Sequence, residues 1–386
     1  MTAAATRRRD PGNRSEMPDD VSLPPELAAL FHQIYDDLTT GTNYPDPRQL
    51  KDQLDTWIRH MLYSPTDLAD ILKAVSAIHD ALTARIITHH VSVFKTRDHR
   101  SVPGAFCWIA MGSDARQEQV VRTDQDNALI YADPPRSQEK DWDAYFADLA
   151  GQVVTDLDRF GFSLCKGDVM ATNPQWRGSL TRWRQSLDQW IGSAEPADIR
   201  ILTILLDFRS VYGDFPMARG LLDRVFDLFQ KNPAVNHYLT RDDLLFSSPK
   251  TLFGRIRTHR IPGCRACFNI KTAGLAHLIN GIRILALNHG IFSPSTLARL
   301  AGLKDQKIID AGEYEQYLEA FYHLNRLKIG SHLNRDRHPD LPVNCVDLTT
   351  LSKTKRKQLK TVLNSVTLLQ KQIQRNYSMK WMNFFN

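Results

Sequence analysis

The amino-acid sequence predicts an α+β protein in which a small mixed sheet lies between two helical regions of the chain. Apolar residues recur every three or four positions through most of residues 24–95 and again beyond residue 217, which is typical of amphipathic helices. Between these regions, residues 105–111 form a short continuous apolar run, and residues 127–132 are apolar after Asn127. Runs of this length are too short for buried helices and are typical of buried strands.

Composition narrows the class of protein before any motif is considered. The chain has 386 residues, of which 42% are hydrophobic and 24% charged, values that predict two or three folded domains. Its apolar runs fall short of the roughly eighteen residues needed to span a bilayer, so we expect no membrane partner. Five cysteines, an odd number in a long chain, favour a reducing cytoplasm over a disulfide scaffold. The net charge of +6 tolerates a phosphate-bearing partner without requiring one.

Four regions are predicted along the chain. Residues 1–22 are polar and predict a disordered tail that lacks the apolar core of a secretory signal. Residues 23–96 predict an N-terminal helical segment with three amphipathic helices. Residues 97–215 predict the domain that carries the sheet, and residues 216–380 predict a C-terminal helical domain.

The sheet domain and the C-terminal domain are predicted in more detail from their apolar patterns. Beyond the two strand-like runs, we expect helices at 142–160, 176–191 and 199–211 and a third strand at 161–165. C-terminal helices are expected near 217–230, 275–288, 294–303, 314–329 and 354–377. The segments 258–264 and 330–345 are rich in Pro, Gly and Asn and predict loops.

Two aspartates two positions apart form the first part of a candidate site. Asp124 and Asp126 stand at the start of the second predicted strand, where alternate side chains point to the same face. Two carboxylates placed in this way repel each other unless a cation lies between them. Oxygen donors suit Mg²⁺, which often shares its coordination sphere with substrate phosphates. An isolated Asp-x-Asp is more often a solvated turn, so the metal prediction depends on the residues around it.

A phosphate-binding turn is predicted just upstream of the two aspartates. Gly112 and Ser113 end the first predicted strand, where a glycine lets backbone N–H groups converge on an anion and the hydroxyl adds a donor. Arg116 adds a planar guanidinium that matches phosphate geometry. The strand, the Gly-Ser turn and the Asp-x-Asp strand together predict a site for a metal ion and a triphosphate.

This pattern, a Gly-Ser pair followed about ten residues later by Asp-x-Asp, resembles the polymerase-β-type nucleotidyltransferase superfamily. The segment GSDARQEQVVRTDQDNALIY at 112–131 is similar to the signature of the nucleotidyltransferase family related to the PII-protein uridylyltransferases. Further segments resemble the family in order: CKGDVMATNPQWRGSLTRW, LLDFRSVYGD, NIKTAGLAHLINGIRILALNHGI and LSKTKRKQLKTVLNSVTLLQ. The resemblance covers about residues 24–377, and Ala115 departs from the glycine that is common in the family.

The resemblance implies a Mg²⁺-dependent enzyme that moves a nucleoside monophosphate from UTP or ATP to an acceptor hydroxyl. It implies a protein acceptor similar to the small PII signalling proteins, selected by the helical C-terminal domain. Asp124 and Asp126 would hold Mg²⁺, while Gly112, Ser113 and Arg116 would bind the phosphates. The chemistry also needs a base or a further metal ligand, and Asp168 is the best candidate. A plain loop residue beside Gly167 is the alternative interpretation of Asp168.

Several other residues admit both a functional and a structural interpretation. Glu118 is either a partner of Arg116 or the metal, or an exposed charge. Asn173 is either a substrate contact or a turn residue before Pro174. For several further residues we prefer the structural interpretation. We expect Asp207 and Arg209 to form an ion pair, Lys166 and Arg177 to lie on the surface, and His89 and His90 to lie at a helix end. Cys264 and Cys267 are expected as partly buried loop thiols rather than zinc ligands, and Lys353 to Lys360 as the solvent-exposed face of an amphipathic helix.

Two other functions stay open at this point. A catalytically weak or inactive module that senses nucleotide would use the same pocket without a third carboxylate. An RNA-modifying enzyme would share the metal site but would need a stronger basic groove than +6 spread over 386 residues, so nucleic acid is not expected as a partner. A third carboxylate close to Asp124 and Asp126 would favour the enzyme.

Overall fold

The computed structural model describes residues 21–64, 66–193, 201, 203–231, 249–251, 254–334, 341 and 344–378. The fold is α+β, as the sequence predicts. The tail predicted for residues 1–22 lies outside the described residues, except for its last two positions. Within the described part of the chain, no helix combines the length and the hydropathy needed to cross a bilayer.

Three helices open the described chain: α1 (Pro25–Thr39), α2 (Pro47–Tyr63) and α3 (Leu68–Thr96). Pro25 occupies the first position of α1, where the backbone N–H would make no hydrogen bond within the helix and its absence therefore costs nothing. The predicted apolar stripes are buried, and Trp57 of α2 is completely so. Its indole N–H donates to the carbonyl of Leu27 at 2.9 Å, which ties α2 to α1.

A four-stranded sheet follows, with the strand order β3–β2–β1–β4. Its strands are β1 (Phe106–Met111), β2 (Asn127–Tyr131), β3 (Arg177–Ser179) and β4 (Phe208–Gly213). Strand β1 is antiparallel to both β2 and β4, whereas β3 is parallel to β2. Every residue of β1 and β2 is buried, which is why both were continuous apolar runs in the sequence. The helices that accompany the sheet are α4 (Gly112–Ala115), a single turn, α5 (Glu139–Arg159) and α6 (Leu180–Ser193).

The other two strands differ from the prediction. Residues 161–165 contribute only an isolated bridge between Ser163 and Asp124, and the third strand is Arg177–Ser179, where a helix was expected to begin. This strand is three residues long and carries no apolar run that could have revealed it. The helix predicted over 199–211 is wrong from residue 206 onward, because a turn leads there into strand β4; residues 199, 200 and 202 lie outside the described residues. The register of β4 on β1 shifts between Trp108 and Ile109, so its buried residues stand three apart, as in a helix.

The described residues of the C-terminal half form five α-helices and a second sheet. The helices are α7 (Phe215–Lys231), α8 (Ala276–Asn288), α9 (Thr296–Asp305), α10 (Ala311–Leu333) and α11 (Lys353–Ile373). The sheet has the order β5–β6–β7, with β5 (His259–Ile261), β6 (Cys264–Asn269) and β7 (Cys345–Asp347). The loop predicted at 258–264 is therefore partly strand. In the loop predicted at 330–345, residues 330–333 belong to α10 and Cys345 to β7, while 335–340, 342 and 343 lie outside the described residues. A Cβ at Gly281 of α8 would lie 2.7 Å from the Leu369 side chain, so the glycine permits close packing on α11.

The sequence predicted Cys264 and Cys267 in a loop, but the structure places them in a strand. Cys264 and Cys267 belong to β6, and both pack against Cys345 of β7 in one buried cluster. None of the three thiols forms a disulfide. Burial, and after it the neighbouring Cys267, raises the pKa of Cys264 to about 12. Among the described residues, no three His, Cys, Asp or Glu side chains form a group that could hold a metal ion. The thiols thus pack as small apolar side chains.

The described chain divides into two compact units. The first consists of residues up to 57, 72–186 and 208–224 and contains the four-stranded sheet. The second consists of residues 58–71, 187–207 and those from 225 onward, with the three-stranded sheet and helices α8 to α11.

A buried ion-pair network holds part of the second unit together. The Asp207 carboxylate is inaccessible to solvent and pairs with Arg283 and with Arg299, whose Nη2 donates at 2.7 Å. Arg299 also donates to the carbonyl of Leu206 at 3.1 Å. The predicted pair between Asp207 and Arg209 is therefore wrong, because each residue has other partners.

Replacing Asp207 by Asn leaves two buried guanidinium groups without their countercharge. We expect the free energy of unfolding to fall by about 3–5 kcal/mol, measured by urea denaturation of the full chain. Asp223→Asn, which breaks an exposed pair with Arg219, is the control and should change stability by less than about 1 kcal/mol. Equal effects of the two substitutions would contradict the structural role of Asp207.

Candidate functional site

The Gly-Ser turn and the Asp-x-Asp segment lie at the same end of two neighbouring strands. Ala110 of β1 is paired with Asn127 of β2, and the Met111 N–H donates to the carbonyl of Asp126 at 2.9 Å. The end of β1 and the start of β2 are therefore adjacent. The intervening turn is closed by a hydrogen bond from the Glu118 N–H to the Ser113 carbonyl at 2.9 Å.

Gly112 allows the second aspartate to approach the turn. Its φ is +59°, a backbone conformation that residues with a side chain rarely adopt. A Cβ at this position would lie 2.8 Å from Oδ2 of Asp126, closer than real Cβ contacts. The glycine is therefore required both by the backbone and by the carboxylate that rests against it.

The residues between and beside the two aspartates turn inward. Gln125 is buried, and its amide donates to the carbonyls of Val154 and Phe162 at 3.1 and 3.0 Å. Asn127 is also buried and donates to the Gln125 side chain at 3.0 Å. Asp126 is half-buried and Asp124 is exposed. The buried amides thus anchor the backbone that carries both aspartates.

Arg116 is held in place by an ion pair. Its Nε donates to Oε2 of Glu118 at 2.8 Å, and the Glu118 side chain is almost completely buried. Glu118 is thus a partner of Arg116, one of the two interpretations that the sequence allowed, and not an exposed charge. The pair fixes the guanidinium beside the Gly-Ser turn, on the segment that follows Ser113.

A charged cluster that the sequence did not predict packs beside the Gly-Ser turn. Arg209 of β4 donates through Nη2 to Asp80 of α3 at 2.9 Å and lies 3.4 Å from Oδ1 of Asp114 in α4. Asp80 and Arg209 are 129 positions apart, so no local pattern could have paired them. Asp114 stands inside the quoted motif, but only the fold shows that it faces Arg209.

The cluster carries more negative than positive charge. Burial, with repulsion from Asp80 and Asp126 and against the attraction of Arg209, raises the pKa of Asp114 to about 6. Two carboxylates, those of Asp80 and Asp114, therefore pair with the Arg209 guanidinium, and Asp126 acts on Asp114 through its charge.

The comparisons with known proteins identify the same region. The chain matches the family described as "Putative nucleotidyltransferase DUF294" over residues 52–197, which include the turn and both aspartates. Residues 233–377 match the family described as "Putative nucleotidyltransferase substrate binding domain". Together the matches span about three quarters of the chain. The chain belongs to this nucleotidyltransferase family. Comparison with curated proteins returns no match.

In this nucleotidyltransferase, the segment that contains Asp168 packs against the start of β2. The Asn127 N–H donates to the Val169 carbonyl at 3.1 Å, and the Ala171 N–H donates to the Asn127 side chain at 2.9 Å. Cys165 reaches Asp126, and burial together with the charge of Asp126 raises the pKa of this thiol. The loop that begins at Cys165 therefore borders the aspartate pair.

Asp168 itself is exposed and does not join the aspartate pair in a metal-binding group. Its φ is +55°, and its Oδ2 accepts a hydrogen bond from Nδ2 of Asn173 at 3.0 Å. Within the described ranges, no third His, Cys, Asp or Glu side chain completes such a group with Asp124 and Asp126. The role of Asp168 as a base stays a prediction. Asn173 caps the turn that follows it, as its position before Pro174 suggested.

Two other residues lie where the sequence did not place them. Arg177 is buried, not on the surface, and donates to the carbonyls of Ala171 and Thr172 at 2.8 and 3.0 Å. His90 does not end a helix: α3 continues to residue 96, and His90 pairs with Asp156 at 2.8 Å. Lys166 is exposed, as expected.

A small cavity lies against Asp114 and Asp126. Its volume is about 20 Å³, and its lining combines apolar side chains with polar ones, namely His79, Thr83, Asp114, Gln119, Gln125, Asp126 and Asn127. His79 is 2% exposed, and neither of its ring nitrogens has a hydrogen-bond partner in the described structure. Burial, with the charges of Arg122 and Arg209, lowers the pKa of His79 to about 3, so the ring is neutral. The cavity has room and polar groups for about one ordered water molecule.

We expect Gly112→Ala to disturb the site locally. The alanine must adopt a positive φ and displace the Asp126 carboxylate, at a cost of about 1–2 kcal/mol in the free energy of unfolding. Binding of a non-hydrolysable NTP analogue with Mg²⁺, measured by calorimetric titration, should weaken strongly. Gly151→Ala is the control, because a Cβ there meets nothing within 4 Å. Wild-type nucleotide affinity in Gly112→Ala would contradict the proposed geometry.

His79 predicts a pH dependence of stability. Its pKa is about 6.5 when unfolded and about 3 when folded, so below pH 6.5 the unfolded chain binds a proton that the folded chain does not. Wild type should therefore lose about 3 kcal/mol relative to His79→Leu between pH 6.5 and pH 4. Urea unfolding of both proteins across this range measures the difference. Parallel stability curves would contradict a buried neutral His79.

Proposed function

We propose that the chain transfers a nucleoside monophosphate from UTP or ATP to a hydroxyl group of an acceptor protein, in a signalling role like that of the PII-protein uridylyltransferases. One observation supports the proposal: the Asp126 carboxylate lies against Gly112, and the exposed Asp124 stands two positions before it. The Gly-Ser turn and the Asp-x-Asp segment therefore lie at one end of β1 and β2, where we propose that they bind a triphosphate and its metal ion.

The residues present fit a Mg²⁺ ion. Asp124 and Asp126 supply the oxygen donors that Mg²⁺ prefers and leave room for water and phosphate oxygens. Burial, with repulsion from Asp80 and Asp126, raises the pKa of Asp114, and a cation bound at Asp126 would reduce that repulsion. When bound, Mg²⁺ neutralises triphosphate charge and aligns the reacting oxygens.

The turn supplies the contacts to the triphosphate. Backbone N–H groups at Gly112 and Ser113, with the Ser113 hydroxyl, would donate to phosphate oxygens. Arg116, oriented by Glu118, would add a charged fork on the β- and γ-phosphates. These groups would hold the leaving pyrophosphate while the α-phosphate is attacked.

The reaction forms one bond and breaks one. The acceptor oxygen bonds to the α-phosphorus, the bond to the bridging oxygen of the β-phosphate breaks, and pyrophosphate leaves. We assign the proton of the acceptor hydroxyl to Asp168. This residue is exposed, and its N–H bonds to the Cys165 carbonyl at 3.0 Å, on the loop that borders Asp126.

A second function is favoured by one observation. The described residues contain no third carboxylate grouped with Asp124 and Asp126 for metal binding. A catalytically weak or inactive module that senses nucleotide would need only the turn and the aspartate pair. It would bind NTP with Mg²⁺ but would label no acceptor.

Replacing both Asp124 and Asp126 by Asn should abolish transfer while the fold persists, because mutual repulsion of the carboxylates is removed. The assay incubates the full chain with α-³²P-labelled UTP or ATP, Mg²⁺ and cell extract, and follows label in protein and in RNA. Thermal stability without metal should hold or rise slightly. The matched control is Asp141→Asn with Asp158→Asn, two exposed acids of α5, which should leave labelling unchanged.

The outcomes separate the two functions. Wild-type labelling of a protein that the Asn variant does not label supports the transferase. Nucleotide binding without any labelling supports the sensing module. An Asn variant that unfolds would show that the pair is structural, and label in RNA would contradict a protein acceptor.

A further inference from the structure

The net charge of the chain conceals a strong separation of charge. Residues 233–377, the part that matches a substrate-binding domain, contain 22 Lys and Arg against 10 Asp and Glu, a net charge of +12. The remainder therefore has 27 against 33, a net charge of −6. We expected no nucleic-acid partner because the net charge is low when averaged over the whole chain. That average does not describe residues 233–377.

Much of this charge lies on one face of α11. Lys353, Arg356, Lys357, Lys360 and Lys371 follow each other at helical spacing, and Arg375 continues the row in the turn after the helix. All six are exposed, and we call this row the cationic stripe. The opposite face is buried through Leu359, Val362, Leu363, Val366 and Leu369. The stripe extends for about 30 Å along the helix.

Two further residues lie on the same face between Lys360 and Lys371. Asn364 is exposed and accepts a hydrogen bond from Nζ of Lys250, which brings a seventh cation to the stripe. Leu368 is 58% exposed. It is one of only three large apolar side chains exposed in the described structure, with Tyr63 and Leu164.

The stripe is unfavourable for the helix that carries it. Lys353 with Lys357, and Arg356 with Lys360, are like charges four positions apart, which destabilise a helix by about 0.2–0.5 kcal/mol per pair. The first turn of α11 has no acidic residue, so these cations also face the positive end of the helix dipole. An ordinary solvated face intersperses both signs of charge, whereas residues 348–377 contain seven Lys and Arg and no Asp or Glu. An anionic partner would relieve this repulsion.

We propose that the cationic stripe binds an acidic surface of a protein, with Leu368 as the apolar anchor. An exposed leucine amid the cations suits a protein partner, because phosphate groups offer it no apolar contact. Binding of single-stranded nucleic acid usually adds aromatic side chains on which bases stack, and the described stripe has none. That the bound protein is the acceptor of the nucleotidyl group rests on the proposed function; the binding surface itself does not.

The chain offers a matched pair of variants for the test. Lys357 lies on the stripe, whereas Lys355, also exposed, points to another side of the same helix turn. Glutamate at either position changes the charge equally and places an acid near the N-terminus of α11. The probe is a fluorescent 16-residue peptide that repeats Glu-Glu-Leu-Glu, and its binding to the full chain is followed by anisotropy in 50 mM NaCl.

We expect Lys357→Glu to weaken peptide binding by about tenfold, and Lys355→Glu by less than about twofold. Leu368→Ser should weaken binding several-fold in 300 mM NaCl, where charge attraction is screened. Equal effects of the two lysine variants, or no peptide binding by wild type, would overturn the proposal. Tighter binding of a 16-nucleotide RNA, lost in Lys357→Glu, would replace the protein partner by nucleic acid.

The same proteins separate this proposal from the proposed function. Titration with a non-hydrolysable NTP analogue and Mg²⁺ should give equal affinities for wild type and Lys357→Glu. Absence of nucleotide binding by wild type would refute the proposed function and leave the peptide result valid. Loss of nucleotide binding in Lys357→Glu would show damage beyond the stripe and would overturn its assignment as a separate docking surface.

Discussion

The approach of the Asp126 carboxylate to the backbone of Gly112 is the constraint on which the rest of the candidate site depends. The pairing of β1 with β2 brings the turn and the aspartates to one sheet end, but a side chain at position 112 would keep them apart. The hydrogen bonds of Gln125 and Asn127 to the interior then anchor the backbone between and after Asp124 and Asp126. These buried amides therefore fix the segment that carries both carboxylates.

Like charges lie close together at two places in the protein. Near the turn, Asp80 and Asp114 pair with Arg209, and repulsion from Asp80 and Asp126 acts on Asp114. On α11 the like charges are positive, and the six cations of the stripe favour an acidic surface. In both places like charges remain together at a cost to folding. Such costs are typical of functional sites, where a ligand or partner offsets them.

The sequence predicted the elements whose signals are local. Strands β1 and β2 are fully buried, so their apolar runs were unambiguous, and the Gly-Ser and Asp-x-Asp motifs lie within one short segment. The sequence predicts a helix where β4 lies, because a register shift places the buried residues of this strand three apart, a spacing typical of helices. Partners across long sequence distances could not be predicted at all. Arg209 contacts Asp80, and Asp207 contacts Arg283 and Arg299, although Asp207 and Arg209 are only two positions apart.

The central claim is that Asp124 and Asp126 hold a divalent cation beside a triphosphate bound at the Gly-Ser turn. The most direct measurement is an anomalous-scattering map of crystals grown with Mn²⁺, which replaces Mg²⁺, and a non-hydrolysable NTP analogue. We expect one or two manganese peaks within coordination distance of both carboxylates, with phosphate oxygens against Gly112, Ser113 and Arg116. Manganese bound elsewhere, or a triphosphate bound away from this turn, would contradict it.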